Sequence, residues 1–211
     1  MTIIVHHLEN SRSQRVLWLL EELGLPYEVR RYERNKATML APPELRAVHP
    51  LGKSPVIQDG EGAPALAETG AIIEYLVEKA DGRLGPPAHR EAVLRYRHFL
   101  HYAEGSLMPP LLVLLVLGRI PLLGSRAVKR FRPMVDAHLA YVEGELRDRP
   151  WFAGEAFSAA DVMMSFPLEA ARQRAGLNGA DHPRTVAWLG TIHARPAYRA
   201  ALARGGPYAF A

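Results

Sequence analysis

The 211-residue chain contains no cysteine, and that one absence closes several routes at once. Disulfide bonds, CxxC redox chemistry, thiolate-ligated metal and a cysteine nucleophile are all excluded. Long apolar runs are missing too: the longest uninterrupted one, Leu111 to Leu117, is far short of the ~20 residues a membrane-crossing helix needs. Neither a glycine-rich phosphate loop nor a Gly-x-Ser-x-Gly nucleophile turn occurs, which removes two common routes to phosphoryl and acyl transfer. Charge of one sign is scarcely in excess. With 26 Lys and Arg against 22 Asp and Glu the net charge is +4, a surplus that favours acidic small molecules without demanding nucleic acid. Arg126, Lys129, Arg130 and Arg132 come nearest to a basic stripe, and their helical spacing reads as a solvated face. The N-terminus, MTIIVHHLEN, lacks a basic region followed by a long apolar core, so it does not read as a secretory signal. The expectation is a soluble, cytoplasmic protein with no nucleic-acid and no membrane partner.

What is present is an ordered series of elements. Thr2 to His6 is a β-branched apolar run, so a strand ends near His7, and a polar turn follows at Glu9-Asn10-Ser11. From Arg15, apolar Val16, Leu19, Leu20 and Leu23 recur at helical spacing and stop at Gly24, with Pro26 beyond. Tyr27 to Tyr32 resumes as a strand, which makes a right-handed βαβ unit. Arg34 to Val48 links onward, with Pro42-Pro43 opening a short helix. Val56-Ile57 and Ala65-Leu66-Ala67 flank Asp59-Gly60-Glu61-Gly62 as a β-hairpin, and Ile72, Ile73, Leu76, Val77 and Ala80 then repeat as a helix with Thr69 as its N-cap. Residues 81–88, rich in Gly and Pro, read as a linker. Beyond them strand signals vanish, and helical patterns run from about His89 to Leu117, Ser125 to Leu146, Ala159 to Arg174, His182 to Ala194 and Ala197 to Ala203. Pro109-Pro110 interrupts the first of these and predicts a bend. Ser158-x-x-Asp161, flanked by Phe157 and Val162, is a capping motif with a hydrophobic staple. Trp151, Phe152, Phe157 and Trp188 read as core.

The stretch His49 to Leu76, HPLGKSPVIQDGEGAPALAETGAIIEYL, resembles the glutathione-binding half of the glutathione transferase family, in which a Gly-x-x-Pro approach to a strand and a Glu-Ser/Thr pair before a helix grip the tripeptide. The family's proline is cis and exposes the backbone of the residue before it, here Ser54, to pair with the cysteinyl part of glutathione like an added strand. Glu68-Thr69 resembles the pair that holds the zwitterionic γ-glutamyl end, a negative partner for the ammonium beside N–H groups that attract the carboxylate. Lys53 resembles the residue that meets the glycyl carboxylate. The resemblance covers nearly the whole chain and implies a thioredoxin-like α/β domain at 1–80, a linker at 81–88, and an all-α helical-bundle domain at 89–211 that contributes a hydrophobic co-substrate pocket near Met108, Leu111 and Leu112. Those three residues read equally as plain core.

Such an enzyme must hold a thiol, with a free pKa of roughly 8.5, as thiolate at neutral pH. A hydroxyl at the N-terminus of the first helix supplies a donor and a positive potential. The first tyrosine, Tyr27, lies past that helix, so a tyrosine-based mechanism has no residue to use. Ser11, four residues before Arg15, resembles the serine-type branch, with Ser13 and Asn10 as competitors and an ordinary helix cap as the alternative. Nine histidines invite a metal, but His6 and His7 alternate across a strand and His98 with His101 lack an acidic partner at ligand spacing, so none is expected. The resemblance implies a homodimeric detoxification enzyme that uses glutathione as co-substrate, with no further cofactor, and conjugates its thiolate to a hydrophobic electrophile. Glutathione-dependent peroxide or disulfide reduction, and a non-catalytic module that binds protein partners, are the alternatives.

Overall fold

The computed structural model describes residues 2–121 and 124–211. In chain order the elements are β1 (Ile3–Leu8), α1 (Ser13–Leu23), β2 (Tyr27–Tyr32), α2 (Glu44–Val48), β3 (Val56–Gln58), β4 (Ala65–Ala67) and α3 (Thr69–Lys79), then α4 (Arg90–Tyr102), a π-helical turn (Ala103–Leu107), α5 (Met108–Leu117), α6 (Gly124–Glu145), α7 (Ala159–Arg174), α8 (Pro183–His193) and α9 (Pro196–Gly205). They form two compact units. One runs up to Gly85 and also takes in His193–Ala209; the other spans Pro86–Ile192 with Phe210.

The first unit is a thioredoxin-like layer of strands and helices. Its sheet has the order β2-β1-β3-β4, with β1 parallel to β2 and antiparallel to β3. All six residues of β1 are buried, as befits a strand with neighbours on both sides, and the strand runs to Leu8, past the end near His7 that the sequence predicts. α1 starts two residues earlier than predicted, at Ser13, and it buries Val16, Leu17, Leu19, Leu20 and Leu23. It ends where Gly24 takes a left-handed conformation, φ 61°, and its N–H returns to the helix carbonyls of Leu20 and Glu21. Thr69 is not the N-cap of α3: that place falls to Glu68, and Thr69 is the first helical residue, buried.

The segment His193–Ala209, which the sequence reading assigns to the helical domain, groups with the first unit through α1. Arg195 donates Nε and Nη2 to the Glu22 carboxylate at 2.5 and 2.8 Å, and Trp18 Nε1 donates to the same group at 2.9 Å. Tyr27 donates to Glu21 at 2.6 Å beneath the Arg204 guanidinium. Two-point Arg–carboxylate pairing with limited solvent access fixes orientation more firmly than a surface ion pair does.

The second unit is all helical. α7 is its centre: every residue from Ala159 to Ala171 is buried. At its start the Asp161 carboxylate accepts from the backbone N–H of Ser158 at 2.9 Å and of Phe152 at 3.0 Å, and from Ser158 Oγ at 3.1 Å. That completes the reciprocal half of the capping motif, while the Ser158 hydroxyl turns to the carboxylate. Burial nevertheless pushes the Asp161 carboxyl up to about 6. Pro109 and Pro110 fall in the first turn of α5, and the irregularity lies just ahead of them in the π-helical turn. Prolines have no N–H to return to the carbonyls of Gly105 and Ser106, so the preceding turn widens. Arg90–Leu117 is thereby one continuous helical stretch, long and apolar enough to cross a membrane by length and composition, which the seven-residue run alone does not suggest. Yet Tyr96, Phe99, Leu100, Leu107, Leu111 and Leu114 are buried in the helical core, as in a core helix of a globular unit.

Candidate functional site

Strand register assembles the site at one edge of the sheet. β1 runs antiparallel to β3, with His6 opposite Val56, and β3 runs antiparallel to β4, with Val56 opposite Ala67. The C-terminal end of β1, the residues before β3 and the residues after β4 therefore meet at the same end. Those are the places of Ser11, of Lys53-Ser54 and of Glu68-Thr69. Far apart in sequence, they share one edge because the hairpin folds back once.

Leu8 ties the two sides together. Its backbone N–H donates to Ser54 Oγ at 3.2 Å, and its carbonyl accepts from Ser13 Oγ at 3.3 Å. Ser54 Oγ in turn donates to the His6 carbonyl at 2.8 Å. The Ser54 side chain is thus turned onto β1, and only its backbone is left to serve as the added-strand edge. The Ser54–Pro55 peptide bond is cis. Glu68 is held at φ 72°, ψ 118°, a costly conformation for a residue with a side chain. Such outliers cluster at ligand clamps. Lys53 and Glu68 are exposed, a cation and an anion at the same end of the sheet.

Ser11 and Ser13 are both buried, and their hydroxyls lie 2.7 Å apart. Ser13 Oγ also lies 2.8 Å from His7 Nδ1. Gly205 packs its backbone against the other ring nitrogen of His7 and hydrogen-bonds to it. Ser13 Oγ thus stands among three partners, Ser11 Oγ, His7 Nδ1 and the Leu8 carbonyl, which lock its side chain in place. Ser11 Oγ, by contrast, hydrogen-bonds only to Ser13 among the described residues: it lies beside Ser13 Oγ and accepts the Ser13 N–H at 3.2 Å, a cap-like role. Asn10 sits at φ 48° and its Oδ1 accepts from Ala209 N–H at 2.7 Å, so its carbonyl oxygen is occupied. Burial, with Arg31 nearby, lowers His7 to about 4, and burial lowers His6 as well. Both rings are neutral at pH 7.

The His7–Ser13 anchor escaped the sequence reading, as did the His6 contacts, Nδ1 to Tyr32 Oη at 2.8 Å and Nε2 to Gln58 Oε1 at 3.0 Å. Alternation of His6 and His7 across a buried strand was the available signal, since each ring on its own face needs a polar partner. Among the described residues no cluster of three His, Asp or Glu could hold a metal.

In the second unit Met108, Leu111 and Leu112 do lie together, with Leu115, Ala170 and Arg174, around a cavity of about 30 Å³. Met108 and Leu111 are buried and Leu112 is 50% exposed. A space of that size holds about one water, so the lining is tightly packed.

Two family descriptions match this chain: Glutathione S-transferase, N-terminal domain, over residues 11–79, and Glutathione S-transferase, C-terminal domain, over residues 112–196. Among curated relatives, Glutathione S-transferase 3 of Schizosaccharomyces pombe is 36% identical, aligned over 94% of this chain and 86% of its own length. Among solved structures, a glutathione S-transferase from Actinobacillus pleuropneumoniae superposes with a TM-score of 0.87 at 36% identity, covering 99% of this chain and 95% of that one. A sphingomonad glutathione S-transferase complexed with glutathione gives a TM-score of 0.78 at 25% identity over 96% and 98%.

Proposed function

The chain belongs to the glutathione S-transferase family and is a glutathione transferase, and from that premise we propose that Ser11 is the hydroxyl that stabilises the glutathione thiolate. The convergence of Ser11, Ser54 and Glu68-Thr69 at one sheet edge carries this reading. Glutathione lies along that edge, its cysteinyl backbone on Ser54, its γ-glutamyl end on Glu68-Thr69 and its glycyl carboxylate toward Lys53. On binding, the Ser11 hydroxyl donates to the sulfur, and an anion at the start of α1 gains from the helix dipole. The thiolate then attacks an electrophilic carbon of a hydrophobic compound, held by the apolar side chains near Met108, Leu111 and Leu112. The enzyme works in the cytoplasm, as a homodimer, in detoxification, and needs no metal.

Ultraviolet thiolate absorbance of bound glutathione across pH, in the wild type and in Ser11→Ala, tests the assignment. A thiol pKa that is depressed in the wild type and rises in the variant supports it. Unchanged thiolate formation in the variant moves the role to Ser13, Asn10 or a backbone N–H. Turnover of a hydroperoxide faster than of an aryl halide would turn the reading to peroxide reduction.

A further inference from the structure

An imidazole carries two polar atoms on different sides of a rigid ring, so a buried histidine can tie one group to another across its own width. His7, in β1, is buried and does so within the first unit. On one side its Nδ1 lies 2.8 Å from Ser13 Oγ, in the first turn of α1. On the other, the ring hydrogen-bonds to the backbone of Gly205, the last residue of α9. Gly205 comes so near because it has no side chain: a Cβ there would stand 3.3 Å from His7 Nε2 and 2.9 Å from both Gln14 Oε1 and Leu17 Cδ1. The ring is gripped between the end of α9 and the start of α1.

That grip reaches Ser11. A serine side chain has three staggered positions and needs a partner to select one. Among the described residues the Ser11 hydroxyl has a single side-chain partner, Ser13 Oγ at 2.7 Å. Ser13 Oγ is itself placed by His7 Nδ1 and, at a longer 3.3 Å, by the Leu8 carbonyl. The contacts therefore run in one line, from the α9 backbone through His7 and Ser13 to Ser11. A buried histidine could satisfy both nitrogens with backbone groups; His7 instead gives one of them to the hydroxyl beside Ser11. Burial, with Arg31 nearby, lowers the ring to about 4, so at pH 7 it is neutral and acts by contact rather than by charge.

We propose that His7 is a positioning residue for glutathione conjugation: by holding Ser13 Oγ through Nδ1, it keeps the Ser11 hydroxyl aimed at the sulfur. The inference rests on the reading of Ser11 as the hydroxyl that stabilises the thiolate. His7 itself is 2% exposed and both its nitrogens are engaged, so it takes no part in gripping the tripeptide. A loosened Ser11 would leave glutathione held at Ser54 and Glu68-Thr69. What it would lose is part of the preorganised donation to the developing charge.

Ultraviolet thiolate absorbance of bound glutathione across pH, with steady-state kinetics, tests the proposal in four single variants and one double variant. His7→Gln carries its amide out to the place of Nε2 and leaves Ser13 without its partner, whereas His7→Asn carries its amide at the place of Nδ1. In His7→Gln and in Ser13→Ala the bound thiol pKa is expected to rise by about half a unit to one unit, with kcat at neutral pH down about threefold to tenfold and KM for glutathione unchanged. His7→Asn should restore the wild-type value, a rescue that a merely structural role would not produce. Ser11→Ala should give the larger rise, and adding His7→Gln to it should change nothing further, because the two act on one path. A raised pKa in Ser11→Ala with an unchanged one in either His7→Gln or Ser13→Ala overturns the positioning role and leaves the Ser11 reading standing. Equal rises in His7→Gln and His7→Asn, or additive rises in the double variant, overturn it as well. An unchanged pKa in Ser11→Ala overturns the Ser11 reading itself, and the positioning role with it.

Discussion

The two units hold their chemistry in opposite ways. At that end of the sheet the polar groups are held by short, specific contacts: Ser11 to Ser13, Ser13 to His7 and Leu8, Ser54 to Leu8 and His6. Around α5 the side chains are mostly apolar, Arg174 apart, and they close on a space of about 30 Å³. Hydrogen bonds are directional and costly to leave unmade, so the first arrangement is fixed before substrate arrives. Dispersion contacts have no direction, and the second arrangement tolerates change of shape. Under the proposed function, fixed chemistry and adjustable specificity would fall to different units.

The largest expected effect sharpens that contrast through pH. His7 has a folded value of about 4 against an ordinary 6.5, so the unfolded chain takes up protons there sooner than the folded one. Its contribution to stability is complete above pH 6.5 and declines as pH falls to about 4, by roughly 3 kcal/mol in all. Asp161 works the other way, since its value is raised and its ionisation opposes folding as pH rises toward about 6. Comparing wild type with His7→Asn cancels the Asp161 contribution. Denaturant unfolding at several pH values should show the difference between the two proteins changing across pH 6.5 to 4. A constant difference would mean that His7 is not held neutral by its burial.

Next in size is Ser11→Ala. A hydrogen bond to a charged group contributes about 1.5–3 kcal/mol, so the thiol pKa of bound glutathione should rise by roughly one to two units. At neutral pH the conjugation rate should fall about 10- to 100-fold, with the loss shrinking as pH rises and the thiol ionises unaided. A rate–pH profile shifted up in pH is the signature. A uniform loss at all pH values would place Ser11 outside the chemistry.

Much of the first unit was legible because its signals are local and polar. Tyr27–Tyr32 was bounded correctly by Pro26 and its own alternation, and the start of α3 by the apolar period after Glu68-Thr69. The N-cap was misread because Glu68 adopts a positive φ, a conformation no propensity assigns to glutamate. The His7–Ser13 contact joins β1 to the first turn of α1 through side chains, and the closure over His7 comes from Gly205. That neighbour becomes visible only once α9 is seen to return to α1. Spacing gives periodicity within an element; it does not say which distant backbone will seal a buried ring. The Pro109-Pro110 interruption was foreseen, but its form was not, since the lost donors act on the turn before the prolines.

A smaller effect separates binding from chemistry within the first unit. Glu68→Gln keeps the shape and removes the charge proposed to meet the γ-glutamyl ammonium. Charge-assisted bonds are roughly twice as strong as neutral ones, so KM for glutathione should rise about tenfold, with kcat nearly unchanged because the contact is the same in ground and transition states. Steady-state kinetics at fixed electrophile measure it. A fall in kcat of equal size would show that the clamp also sets the sulfur's position.

The smallest expected effect is at Leu112, and it bears most directly on the contrast between the units. Its side chain is half exposed, so truncation to alanine removes little buried area, and each methylene lost from an apolar contact is worth about 0.8 kcal/mol. Leu112→Ala should therefore change kcat/KM by only about threefold to tenfold for any one electrophile, and the direction should depend on the compound. Bulky aromatic electrophiles gain room, whereas small ones lose a wall. The bound thiol pKa should not move, because the substitution neither adds nor removes a charge. Measuring kcat/KM for a graded series of electrophile sizes alongside the thiolate absorbance distinguishes the two kinds of site. If the thiol pKa moved with Leu112, or every electrophile slowed equally, the adjustable apolar side would prove to be tied to the fixed polar one, and the division of labour between the units would fail.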